Sequence, residues 1–218
     1  MKSFEIITIL LTAGSLLSLF FYRNKGPFLY FLFLAAIAAI VQYLSDGLRW
    51  QMLATIYILP AMFITYKYKI VNRFTGTILG AWFLISAFIP WAVPVFTMPA
   101  PEGDFSIGSE TFHWVDSSRL EWFTDENDND VREIMVQAWY PSENSDSIGT
   151  NSYMDFMNLR SKTLASAGKI PAFLPSHLNM ISTNTRNDVA CSNKLEKYPV
   201  LIFSHGITGS RHLHQILF

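Results

Sequence analysis

The sequence predicts a two-part chain: about four transmembrane helices, then a water-soluble part carrying strands of a mainly parallel sheet. Three observations predict it. Half of the 218 residues are hydrophobic and only 15% are charged, against roughly 25% charged in ordinary soluble domains. The charges are split: residues 1–98 hold seven basic and two acidic side chains, whereas residues 99–218 hold nine basic and fifteen acidic. The first part is divided into apolar stretches of near-spanning length, and the second contains strand-like alternation.

The apolar stretches are roughly Ile6–Tyr22, Phe28–Leu44, Trp50–Tyr66 and Thr77–Phe96. Each approaches the ~20 residues that a helix needs to cross the hydrocarbon core. Short polar separators follow them: "RNKGP", "SDGLR" and "KYKIVNRFTG". Helices suit such stretches because their backbone groups are satisfied internally in lipid. Tyr22, Tyr43, Trp50, Tyr66, Trp82 and Trp91 lie mostly near the predicted ends, as interfacial aromatics do. The first stretch also fits a signal peptide. Its basic flank is one lysine, however, and no clear small-x-small cleavage site follows, which favours an uncleaved helix. Gln51 and Pro60 make the third stretch the weakest span and point to a tilted or kinked helix.

Arg23, Lys25, Lys67, Lys69 and Arg73 fall in the first and third loops. Placing those loops in the cytoplasm satisfies the positive-inside rule and puts both termini outside. Residues 99–218 are then expected on the extracytoplasmic side of a multi-pass cell-membrane protein. Membrane lipids are the implied surroundings. The soluble part is mildly acidic with no basic run, so nucleic acid is not an expected partner. Cys191 is the single cysteine, which excludes an internal disulfide and a cysteine metal cluster.

"TMPAPEGDFSIGSE" reads as a linker leaving the membrane region. "TFHWV" and "REIMVQAWYP" read as strands; in the second, Ile134, Val136, Ala138 and Tyr140 alternate with Glu133, Met135, Gln137 and Trp139, which is period two. Between them, Asp125, Asn127 and Asn129 fit the first calcium-loop positions. Asp130 replaces the required glycine and Val136 the bidentate glutamate, so a solvated hairpin turn is favoured. "YMDFMNLRSKTLASAG" predicts an amphipathic helix with Tyr153, Phe156, Met157 and Leu164 on one side. His177 lies between two apolar clusters and reads as a surface or packing histidine. Val200–Phe203 is a continuous apolar run, suited to a strand covered on both faces in a parallel sheet. Gly206 and Gly209 allow the backbone to turn and to approach a ligand closely.

The segment "EKYPVLIFSHGITGSR" resembles the "KYPLVVFSHGLGG" type of segment in α/β-hydrolases of the platelet-activating factor acetylhydrolase group. Upstream, "FSIGSETFHWVDSSR" looks like that group's first, "YSVG", strand, and "REIMVQAWYPSE" like its "R-x-hydrophobic-YPS" strand. In order, the three cover most of residues 104–211. The resemblance implies a serine carboxylic ester hydrolase without metal or organic cofactor, acting on a small acyl-ester or phospholipid-like substrate. It implies an oxyanion N–H from Ile207, where the group usually has leucine, in a loop shaped by His205 and Gly206. His205 is then a loop residue and not the triad base. A metal reading of His205, His212 and His214 lacks a nearby acid in sequence.

The nucleophile elbow of such enzymes, Gly-x-Ser-x-Gly, lies downstream of this strand, and none of the eleven glycines forms one. The expectation is therefore a membrane region (1–98) followed by the N-terminal part of an α/β-hydrolase domain (99–218). That domain stops before its nucleophile, acid and base, and the chain is expected to be inactive alone. The rival expectation is a non-catalytic membrane protein with a small extracytoplasmic binding or interaction domain.

Overall fold

The computed structural model describes residues 2–22, 25–122, 127, 129–143, 149–206, 209–213 and 215. The chain forms two compact units: Met1–Phe96 with Asn158–His177, and Thr97–Met157 with Leu178–Phe218.

The first unit is helical: α1 (Ser3–Phe21), α2 (Gly26–Asp46), α3 (Trp50–Lys67) and α4 (Arg73–Ala92). α2 and α3 contain their predicted stretches, α1 ends one residue before Tyr22, and α4 begins four residues before Thr77 and ends four residues before Phe96. By length and composition α1, α2 and α4 can cross a membrane. α3 is less apolar because it carries Gln51, Pro60 and Lys67, so among the described residues three helices meet the requirement where four spans were expected. Local chemistry sets the boundaries. Pro27 sits in the first turn of α2, where its missing N–H costs nothing. Gly47, at φ 78°, ends α2 in a conformation that side chains disfavour. Asn72 caps α4: its Oδ1 accepts from the Thr75 N–H and the Thr75 hydroxyl accepts from the Asn72 N–H, both at 3.0 Å, which is a reciprocal cap. Pro94 follows the end of α4 and biases Val93 out of the helix.

Leu19, Phe28, Ala35, Ile58, Leu59, Met62 and Leu79 form the apolar centre of this unit. Its polar side chains are handled in two ways. Hydroxyls on α1 return to the carbonyls one turn back: Thr8 to Phe4 at 2.8 Å, Thr12 to Thr8 at 2.7 Å and Ser18 to Gly14 at 2.7 Å. Longer polar groups tie helices together. Trp82 Nε1 donates to the Ala54 carbonyl at 3.0 Å and Gln51 Nε2 to the Val93 carbonyl at 3.3 Å. At the same end of the bundle Arg49 Nη1 lies 3.0 Å from Glu5 Oε1, both side chains fully buried. Glu5 Oε2 also accepts from the Lys2 N–H at 2.9 Å, and the Lys2 ammonium lies 3.2 Å from Asp46. One charged clasp therefore joins the starts of α1 and α3 to the end of α2.

A stretch from later in the chain completes this unit. α5 (Met157–Gly168) is followed by a 3₁₀ helix, Leu174–Met180. The expected helix begins later than its apolar pattern, because Phe156 has φ 48° and cannot be helical. Met157 and Ala165 are buried, whereas Phe156 and Leu164 are exposed, so the predicted face is only half right. Trp50 Nε1 donates to the Leu174 carbonyl at 3.1 Å, and its ring meets Phe173 and His177 edge-on at 5.4 and 6.4 Å. His177 is thus a packing residue, with Nδ1 2.8 Å from the Leu174 carbonyl.

The second unit holds a three-stranded sheet in the order β2-β1-β3. β1 (Ser106–Leu120) and β2 (Val131–Ser142) form the expected hairpin, antiparallel from Ser106↔Ser142 to Asp116↔Arg132. β3 (Thr185–Asn187) runs parallel to Ile107–Ser109. A Cβ at Gly108 would collide with the Tyr140 ring. The Tyr140 hydroxyl donates to the Val189 carbonyl at 2.9 Å. Asp125, the first residue of the rejected calcium loop, lies outside the described residues; Asp130 N–H donates to the Asn127 carbonyl at 3.1 Å.

This sheet corrects the expectation of a mainly parallel one: its long pairing is antiparallel and its parallel pairing covers three residues. Val200–Phe203 is not a strand, and Val200 and Ile202 are 86% and 91% exposed. A continuous apolar run becomes a covered strand only when neighbours accept its backbone bonds. Here β2 takes one edge of β1, β3 pairs with Ile107–Ser109 on the other, and no described strand pairs with this run.

Breaking a buried ion pair costs about 3–5 kcal/mol, whereas replacing both partners by apolar groups is often neutral. Glu5→Gln or Arg49→Gln should each lower the unfolding midpoint of the detergent-solubilised chain, and Glu5→Leu with Arg49→Met should recover most of the loss. Additive losses in the double variant would contradict the clasp.

Burial holds the His177 imidazole below its ordinary 6.5, the Leu174 carbonyl opposes this, and the Arg49 cation adds to it. The released segment therefore takes up a proton first. Docking on Trp50 keeps full strength above about pH 6.5 and weakens as pH falls through that value. Amide exchange of residues 169–177, corrected for intrinsic rates, should rise as pH drops, and His177→Gln should remove the dependence.

Candidate functional site

The segment that carries the predicted site residues starts against a defined support. The Tyr198 ring meets Phe105 edge-on at 5.8 Å, and the Lys194 ammonium lies 5.0 Å over the other side chain of that pair, Phe105. The chain then runs extended through Val200–Phe203 to a turn. Gly209 N–H donates to the Gly206 carbonyl at 2.8 Å. A Cβ at Gly209 would stand 2.9 Å from His205 Cβ and 3.1 Å from the Gly206 oxygen, so glycine is required by close approach. Gly206 itself faces open space. His205 is exposed, and its Nδ1 lies 2.9 Å from the Gly206 carbonyl, which places the ring proton on Nδ1. Ile207, the expected oxyanion donor, and His214 lie outside the described residues.

After the turn the chain is fastened by side chains. Arg211 Nη2 pairs with Asp155 Oδ2, and Arg211 Nε donates to Gln137 Oε1 on β2 at 3.2 Å. His212, almost wholly buried, approaches the other carboxylate oxygen of Asp155, with Nε2 to Oδ1 3.1 Å. Gln215 Nε2 donates to the Tyr153 carbonyl at 3.3 Å. One carboxylate thus receives a guanidinium and an imidazole from consecutive residues, which fixes the direction in which the chain leaves the turn. The acid is itself held: Tyr153 N–H donates to the Ile181 carbonyl at 2.7 Å, and burial pushes the Tyr153 phenol up from its ordinary pKa. Next to it Asn151 Nδ2 donates to Ser109, Thr185 and Asn187, at 3.2, 3.1 and 2.7 Å, tying this stretch to β1 and β3.

Of the predicted site residues, the structure brings His205 and Gly206 into one turn closed by Gly209. Sequence reasoning missed Asp155, Arg211 and the role of His212. The available signal was a lone acid inside the apolar cluster "YMDFM", without a visible partner. A separate concavity of about 490 Å³ lies between α2 and α3, lined by Leu32, Ile40, Tyr43, Leu59, Pro60 and Phe63 among others. Its aliphatic and aromatic walls offer a surface for hydrocarbon and not a reaction site.

A family model for platelet-activating factor acetylhydrolase, isoform II, matches residues 93–217. The chain belongs to this family. The match takes in the hairpin, Asp155 and the glycine turn. No curated protein matches the chain, and no solved structure matches it.

If Arg211 holds the outgoing chain, Arg211→Ala should accelerate amide exchange and limited proteolysis across residues 204–213 while leaving β1 and β2 protected. Arg211→Lys should rescue only in part, because an ammonium cannot bridge Asp155 and Gln137 as a planar fork does.

Proposed function

We propose that residues 93–217 are the opening part of a serine carboxylic ester hydrolase of the platelet-activating factor acetylhydrolase type, held at a membrane by the apolar helices of residues 1–98. The family match across the glycine turn carries this reading. In it, a serine activated by a histidine–acid pair attacks the acyl carbonyl of a small ester or phospholipid-like substrate. The negative charge that develops on the carbonyl oxygen is received by the backbone N–H of Ile207. His205 and Gly206 shape that loop, and the Asp155–Arg211 pair holds its far side. Both the donor and its supports are protein groups, so the chemistry calls for no metal or organic cofactor.

The 218 residues contain no Gly-x-Ser-x-Gly elbow, so in this reading the nucleophile, acid and base are not among them. Val200–Phe203 would then gain the pairing that a central strand needs. By itself this polypeptide is inactive towards esters. The helices act as a multi-pass anchor, and with all four of them spanning, the charge bias of the loops favours the extracytoplasmic face for the hydrolase part.

Two measurements test the reading. The 218-residue polypeptide should not hydrolyse p-nitrophenyl acetate above background, whereas a form extended through the elbow serine, the acid and the histidine should. In that active form Ile207→Pro, which removes the N–H, should lower kcat about 10²–10³-fold, and Ile207→Leu should leave it near the starting value. Absence of an elbow in continuing sequence favours the second reading, a non-catalytic membrane protein with a small interaction domain. The open Val200–Ile202 run motivates that alternative.

A further inference from the structure

The concavity between α2 and α3 has a cause in the packing of the bundle. α3 is tied to its other neighbours by polar contacts. Gln51 Nε2 donates to the Val93 carbonyl at the end of α4, Thr55 Oγ1 donates to the Ser86 carbonyl at 3.3 Å, and Trp82 Nε1 of α4 donates to the Ala54 carbonyl. Arg49, just before α3, is paired with Glu5 on α1. On α2 the facing residues Leu32, Ala36, Ala39 and Tyr43 share one helix face, as their spacing requires. On α3 they include Ile56, Pro60 and Phe63. Small residues ordinarily let apolar helices close on each other. With α3 held by α1 and α4, the alanines and the proline instead leave a gap of about 490 Å³. That is within the roughly 300–1,000 Å³ of small-molecule sites.

Three features decide the occupant. Among the described lining residues only Tyr43 carries a polar group, so hydrocarbon is the matching chemistry. The lined part of α2, Leu32–Tyr43, is about 16 Å long, close to half of a ~30 Å hydrocarbon core. An acyl chain occupies one leaflet, whereas a helix from a second copy would need a matching face across both. Tyr43 and Leu48, at one end of the gap, are exposed and lie at the end of the bundle where Gln51 meets Val93. A lipid chain inserted there keeps its ester groups at the membrane face from which residues 93–217 continue. In the gap the chain touches two helices, whereas on a convex helix face it touches one, and dispersion gains grow with the atoms met. That difference separates a held lipid from the surrounding lipid.

We propose that the gap between α2 and α3 binds one acyl chain of a phospholipid from the leaflet at which residues 93–217 begin, with the ester groups of that lipid beside Tyr43. Such a site requires the membrane reading of the helices. It gives them a role besides anchoring: they hold a lipid of that leaflet with its ester bonds at the surface.

The full chain is placed in phosphatidylcholine nanodiscs doped with a phosphatidylcholine that carries a diazirine midway along one acyl chain. On illumination, peptides containing Ala36–Tyr43 and Ile56–Phe63 should be labelled severalfold more than the peptide containing Leu84 and Phe88, which are exposed on α4 and report the surrounding lipid. Ala36→Phe, which fills the gap, should bring that excess down to the α4 level, and the milder Ala36→Leu should lower it in part. Leu84→Phe should leave it unchanged. Native mass spectrometry of the detergent-solubilised chain should show a retained phospholipid that Ala36→Phe removes. Equal labelling of α2, α3 and α4, unmoved by Ala36→Phe, overturns the proposal and leaves the membrane reading standing. No labelling on any of them overturns the membrane reading itself. A retained fatty acid in place of phospholipid, or a two-chain mass that Ala36→Phe splits, overturns the phospholipid as occupant.

Discussion

A guanidinium and a carboxylate shut away from water cannot be separated without leaving one charge stranded. The pairing of Glu5 with Arg49 therefore sets the relation of α1 to α3, and the neighbouring Lys2–Asp46 contact adds the end of α2. The rest of the helical unit follows from this. Once the start of α3 is fixed, Gln51 meets the end of α4 and Trp50 presents its ring to the 3₁₀ helix. Packing in an apolar bundle is weakly directional, because leucine against leucine is little different from leucine against lipid. Charged and amide groups at one end supply the direction that the apolar centre lacks.

The helices were legible because length and apolarity need no tertiary information. Their ends were legible only to within a few residues: the fourth stretch was read as Thr77–Phe96, whereas α4 runs from Arg73, capped by Asn72, to Ala92, just before Pro94. The clasp was not: Glu5 and Arg49 read as ordinary flanking charges, and only folding shows that they face each other. The hairpin was legible from the period-two alternation of residues 132–141. The run Val200–Phe203 was misread because apolar composition reports what a segment would bury, not whether a neighbour exists to cover it. Asp155 and Arg211 stand 56 residues apart, and no spacing rule connects them. The helix of residues 153–168 was half legible; its period was visible, but the left-handed turn at Phe156 was not.

The predicted loop and its support obey different physics. The turn between Gly206 and Gly209 is a backbone device, dictated by close approach to His205. Its continuation is held by a branched side-chain contact, in which one carboxylate serves Arg211 and His212 together. Backbone devices leave a signature in glycine spacing, and that turn was one of the three ordered segments on which the family resemblance rested. Side-chain supports leave none in a single sequence. The family match and the geometry therefore complement one another: the match covers the loop's sequence, and the fold supplies what steadies it.

Gly108 sits in the central strand with β2 on one edge and β3 on the other, beneath the ring of Tyr140. That ring is in turn committed through its hydroxyl to the Val189 carbonyl. The glycine can acquire a side chain only if the tyrosine ring moves or shrinks, and either change loosens its hold on the loop around Val189. Positions 108, 140 and the 189 loop thus form one heritable unit. Among relatives they should change together or stay as they are, even though 108 and 140 lie on different strands.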